Sequence, residues 1–363
     1  MSINITPYKL HITMVLQKIK RIGYAVGAIS LFIMALQLLS TSTGDLTPLL
    51  EQSLKPLLDN DLNSLGAGWI TAYLTLNGTT GAAIGLSLFH SGIITSTQLL
   101  TMLSGSRLAA AFVVILIGVL EYFQGKADSI KDSTSIGMIC FLIAYTIYTP
   151  AIMLSYFYSK NFPTGFLNLS GPAFLQNSLL SVFTPATNTI ASITGPGLGF
   201  FVAIGLLILA LRIFGLAFNG LNAESLRGNY LQYLMGSKWI AFATGSILTL
   251  LTTSVSLSLG IIVPLYNEGF IKRQEIIPYI MGANLATMIS FVISAMIVGT
   301  KEGMAQVLVL TGGIFVITTL ALIFYKQYFQ LLQKMFDALV TRTPVMIAFI
   351  VTLVAVPLAA LLI

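Results

Sequence analysis

The stretch LSGSRLAAA, Leu103 to Ala111, runs directly into the apolar segment FVVILIGVL, so Arg107 stands where a membrane or core helix ordinarily carries no charge. A guanidinium at the centre of a membrane helix costs about 2.5–3.5 kcal/mol on insertion scales, and it therefore faces a cavity or a partner. Permanently charged and planar, it fits a phosphate or a carboxylate bidentately. Three roles are open at this position. Arg107 binds an anion, or its charge takes the place of a bound cation, or it is structural, snorkelling or paired with Glu121 or Glu268.

Two other segments set clustered hydroxyls and glycine inside apolar sequence: LTLNGTTGAAIG (74–85) and LTTSVSLSLG (251–260). A helix interrupted there frees backbone groups, and with the Ser and Thr oxygens these can replace the water shell of a small ion or oxyanion. The bland alternative is close helix packing through small residues. Arg212 and His90 sit near the ends of apolar segments, where snorkelling and interfacial roles suffice. The single cysteine, Cys140, lies in apolar sequence and reads as a small buried hydrophobe.

The elements that must position these residues follow from composition. Of 363 residues, 56% are hydrophobic and 8% charged, against about 25% charged in soluble domains. Mean hydropathy is +0.91, and apolar segments fall near 22–40, 66–91, 93–120, 136–158, 197–218, 239–265, 276–299, 304–325 and 344–363. Several approach the roughly 20 residues needed to cross a bilayer, and none alternates as barrel strands do, so an all-α integral membrane protein is expected. The lipid bilayer is thus its first partner, and the net charge of +6, spread thinly over loops, does not indicate nucleic acid. Leucines at helical spacing in 46–65 predict a short interfacial helix. There is no metal-binding Cys/His cluster, phosphate-binding Gly-rich loop with Lys-Ser/Thr or nucleophile elbow in the sequence. Enzyme activity is therefore not expected, and transport would have to run on ion gradients or partners.

Charge asymmetry orients the chain. Lys9, Lys18, Lys20 and Arg21 give +4 before the first apolar run, while the 45–65 loop is −3. The N-terminus is therefore expected in the cytoplasm, with a retained first membrane helix. The connectors 219–238 (+1) and 326–343 (+2) are also expected on the cytoplasmic side. Five regions follow: a cytoplasmic segment 1–21, membrane repeat 1 over 22–158, a connecting loop 159–195, membrane repeat 2 over 196–325, and a cytoplasmic connector with a final helix over 326–363.

The repeat itself appears on a shift of 177 residues, which lays Gly68 on Gly245, Leu74 on Leu251, Thr75 on Thr252, Gly92 on Gly269, Gly105 on Gly282, Leu108 on Leu285 and Ala109 on Ala286. With the charge-derived orientation the two copies are inverted, an architecture of secondary transporters with interrupted or re-entrant helices at the repeat interface.

These paired segments resemble the type II sodium/phosphate cotransporter family, whose repeats each carry a Gln-Ser-Ser-Ser-Ala-Thr-Thr-like stretch followed 29 residues on by Gly-Ala-Asn-Ile-Gly-Thr-Thr. GANLATM (282–288) has TSVSLSL (253–259) at that offset upstream, and GSRLAAA (105–111) has LNGTTGA (76–82). AVGAISLFIMALQLLS (25–40) is similar to the family's first helix, and the resemblance covers about 22–125 and 200–300. It implies sodium-coupled symport of phosphate or a related small anion by alternating access. It also implies substrate and ion contacts at Asn77, Thr79, Thr80, Ser254, Ser256, Ser258, Asn284 and Thr287, with Na+ at Ser254, Ser256, Asn284 and Thr287. Arg107 is added to this set by its own charge, because it replaces the family's asparagine opposite Asn284. The family's Gln is Leu76 in one half and Thr253 in the other, and neither serine triplet is intact. Those losses suit the rival reading, a non-transporting membrane sensor or assembly subunit that keeps the fold.

Overall fold

The computed structural model describes residues 7–109, 130–162, 180–217, 235–252, 270–298, 300–341 and 343–363, with scattered positions inside 112–123 and 255–266. All its regular elements are helical. Six spans are long and apolar enough to cross a membrane: Ile19–Asp45, Thr134–Asn161, Ser181–Ile213, Arg273–Val298, Lys301–Ile323 and Pro344–Leu362. The integral membrane character read from composition therefore holds.

Helix α1 (Pro7–Asp45) includes the basic segment as well as the first apolar run. The expected interfacial helix is divided. Helix α2 (Thr47–Ser53) takes Pro48 in its first turn, and a 3-10 turn (Lys55–Leu58) carries Pro56. A proline has no N–H to continue an α-helix and restricts the residue before it. Leu50 and Leu58 are buried while Leu49 and Leu57 are exposed, the one-sided burial the leucine spacing implied.

Helix α3 (Asp61–Thr75) starts at Asn60, whose side chain accepts hydrogen bonds from the Leu62 and Asn63 backbone N–H groups. It ends at Leu76, the single non-glycine residue with positive φ among the described residues (φ 52°). Helix α4 (Gly78–His90) follows, capped by the Asn77 side chain accepting from the Thr79 N–H. The run 66–91 is thus two helices, broken where the NGTTG sequence predicted. Helix α5 (Ser96–Leu108) opens with a Thr95–Gln98 capping box, and all side chains from Gln98 to Leu108 are buried. A helix buried on every side belongs to the interior of a bundle.

Helices α6 (Ile130–Asn161) and α7 (Leu180–Ala217) follow. The described end of the expected 159–195 connecting loop is therefore helical from Leu180, despite its Asn, Ser, Pro and Gly content. The break it signalled is local, a kink at Gly195 with φ 67°. Helix α7 packs along α1, where Gln37 donates to Thr184 Oγ1 at 2.9 Å. Next come α8 (Lys238–Thr252), α9 (Arg273–Ala286) and α10 (Met288–Val298). The last three are α11 (Lys301–Ile323), α12 (Tyr325–Thr341) and α13 (Thr343–Leu362). The 326–343 connector is mostly the amphipathic helix α12, with Tyr325, Leu332, Phe336 and Leu339 buried and Lys326 and Lys334 exposed.

The helix pairs α3–α5 and α8–α9 make matching contacts. A Cβ on Gly68 would lie 2.0 Å from the Met102 carbonyl oxygen, and one on Gly245 would lie 2.1 Å from that of Tyr279. In the reverse direction a Cβ on Gly105 would meet the Leu65 carbonyl oxygen at 1.9 Å, and one on Gly282 that of Phe242 at 2.0 Å. Each contact in the second pair involves the residues 177 positions beyond those in the first. Only glycine permits helices to approach this closely.

Candidate functional site

Arg107 lies in the last turn of α5 and is 3% exposed. Being at a helix C-terminus lowers its cost, because the cation faces the negative end of the α5 dipole. Its Nη1 donates to Thr287 Oγ1, a short contact across 180 residues of sequence. Its Cζ sits 4.7 Å from the centroid of the Phe291 ring and 6.0 Å from that of Tyr148. No carboxylate reaches it among the described residues, where the ion pairs are Lys55–Glu51 and Lys160–Asp61. Glu121 and Glu268 lie outside the described residues.

Thr287 separates α9 from α10 while keeping helical backbone angles (φ −65°, ψ −17°), so the apolar span Arg273–Val298 runs through it. The Thr287 hydroxyl donates to the Asn284 carbonyl at 2.7 Å, and the Tyr148 hydroxyl donates to the same carbonyl at 3.3 Å. Ser290 in the first turn of α10 donates to the Thr287 carbonyl at 2.7 Å and lies 2.9 Å from the Thr79 hydroxyl of α4. Threonine and serine side chains thus tie the start of α4 to the start of α10.

The guanidinium borders α4 at its first residue. A Cβ added at Gly78 would lie 2.9 Å from Arg107 Nη2 and 2.8 Å from the Ser106 carbonyl oxygen. Arg107 Nε is buried and without a partner among the described residues. A fixed cation therefore faces the partial positive charge of a helix N-terminus, with two like-signed centres side by side. An anion between them relieves both. A second cation about 4 Å from the guanidinium would be opposed by about 4 kcal/mol at an effective dielectric of about 20.

The structure gathers Thr79, Arg107, Asn284 and Thr287 into one buried cluster, with Asn77 capping the adjoining helix. Thr80 is buried with its hydroxyl unpartnered. Ser258 is engaged elsewhere: its Oγ is 2.7 Å from the Tyr279 hydroxyl, which donates to the Ser258 carbonyl at 2.9 Å. Ser254 and Ser256 lie outside the described residues. Sequence reasoning missed Ser290, Phe291, Tyr148 and Gly78 as members of this cluster. Ser290 is one helical turn after Thr287 and was legible only once that division was known; Tyr148 and Phe291 read as ordinary apolar helix.

Comparison of the chain with protein-family models, with characterised proteins and with solved structures finds no match.

Proposed function

We propose that this membrane protein is a secondary transporter of the type II sodium/phosphate cotransporter kind, moving phosphate or a related small anion by alternating access between two inverted repeats. The observation that carries the reading is Arg107, a guanidinium buried among broken helices without a carboxylate among the described residues and set against the N-terminus of α4. A cation set beside a helix N-terminus meets more positive charge there, and a bound anion supplies the counter-charge.

The matched Gly68–Met102 and Gly245–Tyr279 contacts support the repeat, because equal spacing carries equal packing. Interrupted helices at a shared centre are the arrangement by which transporters expose backbone groups to a substrate at mid-membrane. Sodium coupling is implied by the family resemblance alone and is separable from the anion site.

The test is uptake by purified protein in liposomes. Phosphate is offered alongside sulfate, arsenate and small carboxylates, each with and without an inward sodium gradient. Accumulation of one of these anions is the expected result. Liposomes that take up none of them, with protein correctly inserted, refute transport.

A further inference from the structure

We infer that Arg107 is a tethered counter-cation that makes oxyanion binding at this site independent of sodium. The inference rests on the anion-site reading above and concerns what neutralises the bound anion.

Sodium is held by neutral oxygens with lone pairs to spare, and at Thr287 the hydroxyl is already engaged by a cation. Thr287 Oγ1 already accepts from Arg107 Nη1, and the Asn284 backbone carbonyl already accepts from two hydroxyls, those of Thr287 and Tyr148. A cation bound at Thr287 would also lie beside the guanidinium and be repelled by it. Arg107 stands 177 residues before Asn284, at the position corresponding to that asparagine. Its positive charge is therefore at the division between α9 and α10 whether or not a salt is present.

One edge of the same guanidinium carries an N–H with no hydrogen-bond partner among the described residues. Nη1 is committed to Thr287, while Nε has no partner among the described residues and Nη2 lies at the first residue of α4. Nε–H and Nη2–H point the same way and form the fork that grips two oxygens of a phosphate or carboxylate. The α4 N-terminus beside them adds backbone donors of the same sign. Gly78 lets this edge lie against α4, since a Cβ there would come within 2.9 Å of Nη2. The ligand class is a small oxyanion with two coplanar oxygens to present, phosphate or a carboxylate.

The experiment measures phosphate binding by the full-length protein in detergent, through the thermal unfolding midpoint, in sodium and in potassium buffers of equal ionic strength. Wild type is expected to bind phosphate with an affinity that changes less than twofold between the two salts. Arg107→Lys keeps the charge and loses the fork, so affinity falls at least fivefold and remains indifferent to sodium. Arg107→Asn removes the charge, so affinity in potassium falls at least tenfold and sodium restores part of it. Phosphate binding by wild type only in sodium overturns the inference and leaves the anion site standing. An Arg107→Lys protein that acquires sodium dependence also overturns it. A wild type stabilised by neither phosphate nor a carboxylate in either salt removes the anion site and the inference together.

Discussion

Replacing Arg107 by methionine separates a structural arginine from a ligand-binding one. Methionine has a similar length and fills the same space beside Phe291 without a charge. The buried guanidinium costs about 2.5–3.5 kcal/mol to place in a membrane helix. Against this stand the charged hydrogen bond to Thr287, about 1.5–3 kcal/mol, and the cation–π contact with Phe291, about 1–2 kcal/mol when desolvated. The opposing terms nearly cancel, so the stability of the anion-free protein is expected to change by no more than about 1–2 kcal/mol. A buried ion pair broken on one side would instead cost about 3–5 kcal/mol. The anion-bound state behaves differently. Removing a unit charge about 4 Å from the ligand, at an effective dielectric of about 20, removes about 4 kcal/mol, roughly a thousandfold in affinity. The assay is unfolding of the detergent-solubilised protein with and without phosphate. If Arg107→Met destabilises the anion-free protein by more than about 3 kcal/mol, or binds phosphate within tenfold of wild type, the reasoning is wrong.

The remaining predictions concern packing and orientation. Gly68→Ala and Gly245→Ala should each cost at least about 1–3 kcal/mol by overpacking, seen as lost monodisperse protein, while Gly205→Ala, where no atom lies within 4 Å of the new Cβ, should be silent. Loss at one glycine and not at its counterpart would contradict the repeat. Cys140 is the single cysteine and is buried, so introduced cysteines report alone. Glu51→Cys should react with an impermeant maleimide in intact cells, and Lys334→Cys only after permeabilisation; reaction of both from one side would refute the charge-derived orientation.

The legible part of the fold was the part written in local chemistry. Apolar length announced the membrane helices, and the NGTTG segment announced the break at Leu76 and the cap at Asn77. The glycines that coincide under the 177-residue shift prove to be close helix contacts, although the spacing did not say which helices they join. What stayed hidden depends on contacts distant in sequence. Nothing in NLATMIS marks the division between α9 and α10, where the backbone at Thr287 keeps helical angles (φ −65°, ψ −17°). The pairing of Arg107 with Thr287 joins residues 180 positions apart, beyond the reach of periodicity. The Asn, Ser, Pro and Gly content of 159–195 misled in the other direction: it suggested a loop where the described end is α7, kinked at Gly195. The 326–343 connector is helical, α12, and its buried Phe336 lies under the Arg273 guanidinium at 4.2 Å, a contact distant in sequence.

The glycine contacts carry a mechanical consequence. Where Cβ is missing, the glycine hydrogen points at the carbonyl oxygen of the facing helix, a geometry for weak C–H···O bonds. Reciprocal contacts of this kind bind α3 to α5 and α8 to α9 with no long side chain between them to change rotamer. Each pair is therefore a stiff strut whose members cannot slide without driving backbone into backbone. Any rearrangement that carries Arg107 from one face of the membrane to the other must hinge outside these struts. The left-handed link at Leu76–Asn77 is a joint available to it.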